Sequence, residues 1–293
     1  MPETEIPPAM RVDYYCWTLD KCLHVVYNTS EEGVRGGRRM ILTVDIGNTN
    51  MALGGFLGER LAFVARVATD TAKTADEYAA LLSSVLALHG VERTDIDGAI
   101  ISSVVPALNT VMRRAVRFMC GVEALLVGPG IKTGINIHCD TPSSVGSDLI
   151  CACVAVQHVY GSPALIIDMG TATKMMVLND KGTFVGVSII PGVRMGLHAL
   201  SEETAQLPQV SLDPPTVVVG KNTVDAMRSG VIFGHAALVD GMIDRICDEV
   251  GASLPVYATG GLAHLIVPHC KHSITLNENL VLEGLRVLYE KNY

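Results

Sequence analysis

From residue 40 onward, short apolar runs alternate with amphipathic stretches. Runs at 41–45, 51–56 and 61–67 are rich in residues that favour strands, and glycine and polar residues separate them. Tyr78, Leu81, Leu82, Val85 and Leu88 then recur at helical spacing, which predicts a helix over 75–89. An apolar strand is expected at 98–104. Pro106 sits where a helix starts, and that helix is expected to run to about residue 119. A strand at 124–127 ends in Gly128-Pro-Gly130. After a helix that includes Val154 and Val156, the pattern restarts. Strands are expected at 164–168, 174–178 and 183–190, then a helix to about residue 203 beyond Pro191-Gly192. A proline-rich loop spans 207–215 and a long helix 223–250, with Val224, Met227, Val231, Ala237, Leu238, Met242 and Ile246 as its apolar stripe. A strand at 255–258, the turn Thr259-Gly260-Gly261 and two short helices close the chain.

The two halves of this pattern repeat one another. Each opens with a strand ending in Asp-x-Gly, continues through a turn containing threonine into two more strands, and then alternates helices with strands. The matching points are Asp45-Ile46-Gly47 and Asp168-Met169-Gly170. The division that follows is an extension over 1–39, a first lobe over 40–160 and a second over 161–293. Residues 1–39 differ from the rest: they hold the only tryptophan, Trp17, and end in a basic, glycine-rich stretch. They are expected to be a loosely docked extension.

The turn after the first strand carries the first candidate chemistry. In Asp45-Ile46-Gly47-Asn48-Thr49-Asn50 the glycine allows close backbone approach, and the amides and hydroxyl offer donors. Small donors of this kind cradle phosphate, and a carboxylate beside phosphate holds Mg²⁺ through water. An ordinary polar hairpin turn would have the same composition. Two Asp-x-Gly turns facing across a cleft would bind nucleotide phosphates between them. Neither G-x-G-x-x-G opening a helix nor a P-loop occurs, which excludes those two nucleotide folds.

Composition narrows the classes further. Of 293 residues 49% are hydrophobic, enough for a large core, and the net charge of −8 argues against a nucleic-acid surface. The eight cysteines include no C-x-x-C, consistent with a reduced, cytoplasmic setting. No apolar run reaches membrane-spanning length, so no membrane partner is expected. His138-Cys139-Asp140 has metal-ligand residue types, but adjacent side chains on a strand point to opposite faces.

Seven motifs in order carry a resemblance: Asp45-Ile-Gly-Asn-Thr-Asn50, Val145-Gly-Ser-Asp148, Asp168-Met-Gly-Thr-Ala-Thr173, Ile190-Pro-Gly192, Thr204-Ala-Gln-Leu-Pro208, Gly220-Lys-Asn-Thr223 and Thr259-Gly-Gly261. From Met40 on, the chain resembles the type III pantothenate kinases of the actin, Hsp70 and sugar-kinase superfamily. The resemblance implies an α/β fold of two similar lobes, actin-like (ribonuclease H-like), with a nucleotide cleft between them. It implies an ATP-dependent phosphorylation of pantothenate, the first step towards coenzyme A, by a homodimer. ATP would be bound by Asp45, Ile46, Gly47, Asn48, Thr49, Asn50, Met51, Ala52 and Thr171, with Gly260 and Gly261 beside the adenosine. Asp148 would be the base. Gly146, Ser147, Asp148, Leu149 and Cys139 would line the pantothenate site, with Thr204 reaching in from the partner subunit. Asp45 would hold Mg²⁺ through water, and Asp168 a monovalent cation, K⁺ or NH₄⁺.

Three positions depart from the family pattern. Leu149 stands where the motif has arginine, Cys139 where a tyrosine is usual, and Lys174-Met175-Met176 where the family has Thr-Phe-Asp. A charge-assisted hydrogen bond from arginine contributes about 1.5–3 kcal/mol, so its loss weakens substrate binding by about one to two orders of magnitude. Restoring it by Leu149→Arg is expected to lower KM. Lys174 offers a replacement cation, without the planar fork. The departures leave two alternatives open: a non-catalytic, nucleotide-binding accessory protein of the same fold, and a kinase for another small alcohol.

Overall fold

The computed structural model describes residues 39–204 and 206–293. The expected extension lies, apart from Arg39, outside the described residues. Ten strands and seven α-helices are built from the described residues, and the strands form two sheets of the same design. The first contains β1 (Met40–Ile46), β2 (Asn50–Leu57), β3 (Arg60–Ala68), β4 (Ile96–Ser103) and β5 (Leu125–Leu126). The second contains β6 (Ala164–Met169), β7 (Ala172–Leu178), β8 (Phe184–Pro191), β9 (Val256–Thr259) and β10 (Ile274–Leu276). Their orders are β3-β2-β1-β4-β5 and, read from the other edge, β8-β7-β6-β9-β10. In each, an antiparallel meander of three strands is extended by two parallel ones. The repeat expected from the two Asp-x-Gly strands is therefore a repeat of topology. The strand β10 was not expected from the sequence. It is only three residues long, with two of them exposed, so periodicity gives it no signal.

Helices cover both faces of each sheet, which is why the central strands read as continuous apolar runs. α1 (Ala75–Leu88) and α2 (Pro106–Cys120) pack on the outer face of the first sheet. α1 starts with a capping box between Thr74 and Glu77. α5 (Thr223–Val250) and the short α6 (Ala263–Ile266) cover the outer face of the second, next to α4 (Val193–Glu202). The middle layer consists of α3 (Ser147–Val159) and α7 (Leu280–Asn292), whose side chains join clusters with both sheets. These two helices approach closely at Gly284, where a Cβ would lie 1.9 Å from the carbonyl oxygen of Cys151. The buried face of α5 differs from the expected stripe. Met227 and Val231 are buried, but Ile232, His235, Ala236, Val239 and Ile243 complete the face, and Ala237 is exposed. A stripe drawn through Ala237 and Leu238 is rotated from the observed one, because small residues pattern weakly.

Strand periodicity places the two aspartates. Leu165, Ile167 and Met169 of β6 face the outer helices, whereas Ala164 and Ile166 face α3. Asp168 shares the second face, as period 2 requires. On β1, Leu42, Val44 and Ile46 face α1 and α2, which leaves Asp45 on the inner side with Ile41. Both carboxylates thus project from strand ends into the middle layer, beside the first turn of α3.

Candidate active site

The N-terminus of α3 is pinned to the first sheet by serines. Asp45 is paired in register with Ser102 of β4. Ser147 Oγ lies 3.0 Å from Ser102 Oγ, accepts from Ser103 N at 3.0 Å and donates to the Ser103 carbonyl at 3.1 Å. Asp148 follows directly and is buried. It does not cap the helix. Gly146 is the N-cap residue and no side-chain hydrogen bond caps it. Asp148 instead accepts from Lys174 Nζ at 2.5 Å, and Asp168 accepts from the same ammonium at 2.9 Å. Lys174 stands opposite Asp168 across the β6–β7 hairpin. One cation thus bridges two carboxylates that lie 20 residues apart in sequence.

The third carboxylate is less well satisfied. Asp45 Oδ1 is sealed from solvent and has no hydrogen-bond partner among the described residues. Burial, and after it the charge of Asp148, pushes the Asp45 carboxyl up to about 7. Burial likewise raises Asp168 from the ordinary carboxylate value, although Lys174 pulls the other way. For Lys174, burial disfavours the charge, but the Asp168 and Asp148 carboxylates outweigh it and hold the pKa above the ordinary lysine value. The site therefore crowds three carboxyl groups around one ammonium, and burial disfavours the charge on Asp45 and Asp168.

The turn tips meet at the mouth. Thr49 Oγ1 and Thr171 Oγ1 are 3.2 Å apart. Asn48, Thr49 and Asn50 are exposed, and Gly47 N donates to Asn50 O at 3.1 Å to close the turn. Ile46 and Met51 point into the core, so only their main chain faces the turn region; Ala52 is half-buried. Gly260, at φ +95°, brings the turn after β9 against the end of β6, where a Cβ would meet the Met169 backbone at 2.6 Å. Arg66 Nη1, from the first sheet, lies 3.0 Å from where a Cβ on Gly261 would be.

The remaining expected residues lie elsewhere. Leu149 is buried in the apolar cluster of α3 and the second sheet. Cys139 is half-buried and lines a hollow with Ile137, His138, Asp140 and Val185. Thr204 is exposed and donates to the Leu200 carbonyl at 2.7 Å. Among the described residues no hydrogen bond or ion pair joins Cys139 or Thr204 to the carboxylates. Sequence reasoning missed Ser102, Ser103 and Arg66, which register and lobe packing bring to the site. It named Lys174 as a departure and as a replacement cation for the missing arginine, but not as the bridge between Asp148 and Asp168. The signal was present, since antiparallel strands across a short turn place Lys174 opposite Asp168.

Among the described residues no cluster of three or more His, Cys, Asp or Glu could hold a metal directly. The unpartnered Asp45 Oδ1 fits a water of a Mg²⁺ ion carried by phosphates, the usual mode for that ion. No helix of the described residues is long and apolar enough to cross a membrane.

Comparisons with known proteins agree with this arrangement. The chain is 42% identical over 253 residues to a type III pantothenate kinase of Moorella thermoacetica, covering 86% of this chain and 100% of that one. It is 43% identical over 253 residues to one of Geobacter sulfurreducens, covering 86% and 99%. Component A of the (R)-2-hydroxyglutaryl-CoA dehydratase of Acidaminococcus fermentans superposes with a TM-score of 0.50 at 15% identity, over 86% of this chain and 97% of its own. That likeness concerns the fold alone, which is the two-lobed, actin-like α/β arrangement. The sequence model of the type III pantothenate kinase family matches residues 41–245, and the chain belongs to that family.

Proposed function

We propose that this chain is a kinase that transfers the γ-phosphoryl group of ATP to the primary hydroxyl of pantothenate, giving 4′-phosphopantothenate on the way to coenzyme A. The observation that carries the proposal is the bridging of Asp148 and Asp168 by one ammonium, with the buried carboxyl of Asp45 in the same layer, behind the meeting turns of the two sheets. Phosphoryl transfer asks little covalent chemistry of a protein. It requires positioning and charge stabilisation around a loose transition state.

In this reading the exposed donors of Asn48, Thr49, Asn50 and Thr171 hold the phosphates. Gly260 and Gly261 leave room for the adenosine. A Mg²⁺ ion, held through water by Asp45, supplies charge neutralisation at the phosphates when bound. Asp148 orients the pantothenate hydroxyl and takes its proton as the new P–O bond forms and the bond to ADP breaks. The pairing of Asp148 with Lys174 fixes its rotamer. Gly146 matters to the same end, because a Cβ there would lie 2.5 Å from Asp148 Oδ1. Gly146 and Ser147 flank the acceptor, and Thr204 completes it from a partner subunit.

The chain then acts as a homodimer in the cytoplasm. Support for a dimer comes from β8, an edge strand whose Val185, Val187 and Ile189 share one exposed face. A monovalent cation beside Asp168 is a different matter. The Lys174 ammonium already stands 2.9 Å from that carboxylate, so the residues present do not fit a second monovalent cation there.

The test is ADP release with Mg²⁺, with and without pantothenate. Pantothenate-dependent turnover is expected, and Asp148→Asn should lower it by about 10²–10⁴-fold with ATP affinity nearly unchanged. Turnover that ignores pantothenate but responds to another small alcohol would redirect the acceptor; no ATP turnover with any acceptor would refute the kinase.

A further inference from the structure

The residues around Lys174 form a site with a definite requirement for one positive charge. Asp45, Asp148 and Asp168 project into the same layer, and Asp148 and Asp168 accept from the same Nζ at 2.5 and 2.9 Å. The Lys174 side chain is 20% exposed, and those of Asp148 and Asp168 are 12% and 14% exposed. Ion pairs at this depth contribute weakly to folding, because desolvation offsets much of the attraction. Their value lies in what they hold in place. Two carboxylates at one cleft repel each other unless a cation stands between them, and Asp148 must be held in place to meet the acceptor hydroxyl.

A lysine ammonium and an ammonium or potassium ion carry the same charge and are of similar size. The difference is the tether. A side chain four carbons long, fixed on β7, is always present at its site, whereas a diffusible ion is present only according to its concentration. The strand also sets the position: Lys174 shares the inner face of β7 with Met176, which packs in the cluster around α3.

We propose that Lys174 is the site's own monovalent cation, bridging Asp148 and Asp168, so that this enzyme works without K⁺ or NH₄⁺. This rests on the kinase reading above. Lys174 is thus a positioning residue, which acts through the two carboxylates. That role also explains the side chain found here without invoking the missing arginine at position 149, whose place is apolar core.

The experiment uses the full chain and two variants, in Na⁺ buffers free of K⁺ and NH₄⁺, at constant ionic strength. Wild type is expected to change turnover by less than about twofold when K⁺ or NH₄⁺ replaces Na⁺. Lys174→Thr removes the charge and opens space. It should lose at least about tenfold in turnover in Na⁺, as removal of a preorganised charge does, and recover with K⁺ or NH₄⁺. Lys174→Met removes the charge but keeps the stem's volume, and neither ion should rescue it. A second readout needs no catalysis: K⁺ against Na⁺ should raise the Tm of Lys174→Thr and leave that of wild type unchanged. Stimulation of wild type by K⁺, or indifference of Lys174→Thr to K⁺ in both turnover and Tm, overturns the proposal. If no chain turns over ATP, the kinase reading fails, and the Tm comparison still decides the cation assignment.

Discussion

Thr49 and Thr171, 122 residues apart, place their hydroxyls 3.2 Å from each other. Each belongs to the turn that follows the first strand of its sheet, so the contact joins equivalent points of a duplicated design. Both side chains are exposed, and the bond between them has little to do with folding. Two hydroxyls held this close at a cleft mouth form a clamp that phosphate oxygens can enter. Thr171→Val keeps the shape and removes the donor. Loss of a hydrogen bond to a charged group costs about 1.5–3 kcal/mol, so ATP should bind about 10–100-fold more weakly, while the Tm stays within a degree or so of wild type. Titration calorimetry with ATP and Mg²⁺ measures the first and a thermal melt the second. An unchanged affinity would place the phosphates elsewhere.

The middle layer makes a second prediction. At Gly284 a Cβ would be driven to 1.9 Å from the Cys151 carbonyl, which is backbone and cannot swing away. Gly284→Ala must push α7 off α3 and should cost about 1–3 kcal/mol, as overpacking does. Gly234 in α5 meets nothing within 4 Å, and alanine there should stabilise by about 0.5–1 kcal/mol through helix propensity. Urea melts of the two variants should move in opposite directions. A neutral Gly284→Ala would mean that the two helices do not pack this closely.

Much of this fold was legible in the chain. The strands at 40–46, 50–57 and 60–68 were expected within a residue or two, because their apolar runs are bounded by Gly47 and Gly58. The 28-residue α5 was expected at its observed ends, where Asn222 caps its start and Gly251 ends it in the left-handed region. The contacts between sheets were not legible. Nothing local says that Ser147 reaches Ser103, or that Arg66 reaches the turn at Gly261, because both depend on how α3 and the sheets dock. Lys174 lies between these cases. Its place opposite Asp168 follows from the hairpin, but its second partner, Asp148, comes from another element.

His235 sets a pH dependence. It is 9% exposed on the inner side of α5, and its Nε2 lies 2.9 Å from Thr173 Oγ1. Burial lowers its pKa from the ordinary value. The folded protein therefore binds this proton less readily than the unfolded chain does. The stability that neutral His235 contributes is present above the unfolded pKa of about 6.5 and is lost as the pH falls below it. Melts between pH 8 and 5 should show a decline that His235→Gln flattens, since glutamine keeps a polar partner for Thr173 and cannot take up a proton. A decline of the same steepness in the variant would assign it to other groups.

The exposed face of β8 gives a prediction about assembly. Val185, Val187 and Ile189 are 39%, 37% and 67% exposed on an edge strand. If this face joins two subunits, Ile189→Asp places a charge in the contact and should shift sedimentation at micromolar concentration from dimer towards monomer. Turnover should fall with it, because Thr204 is assigned to the site of the partner. A variant that remains dimeric, or a wild type that is monomeric, would remove this strand from the interface.

Leu149 is the departure that the structure reinterprets. Read from the motif alone, it is a missing arginine, and Leu149→Arg should tighten pantothenate binding. In the fold its side chain is 6% exposed and belongs to the cluster that holds Ala152, Cys153, Ile166, Met176 and Phe184. An arginine at this position has an apolar environment around its stem and no carboxylate of its own, since Asp148 and Asp168 are already paired with Lys174. Burying a charge without a partner is among the few ways in which one substitution costs more than about 3 kcal/mol. Leu149→Arg is therefore expected to lose stability on that scale, seen as a lower urea midpoint, with no fall in KM. The double variant Leu149→Arg, Lys174→Thr is the informative partner. Removing the lysine frees both carboxylates, so the guanidinium gains an ion pair, and the two changes together should cost less than the sum of their separate effects. Additive losses would show that position 149 does not communicate with the carboxylates at all.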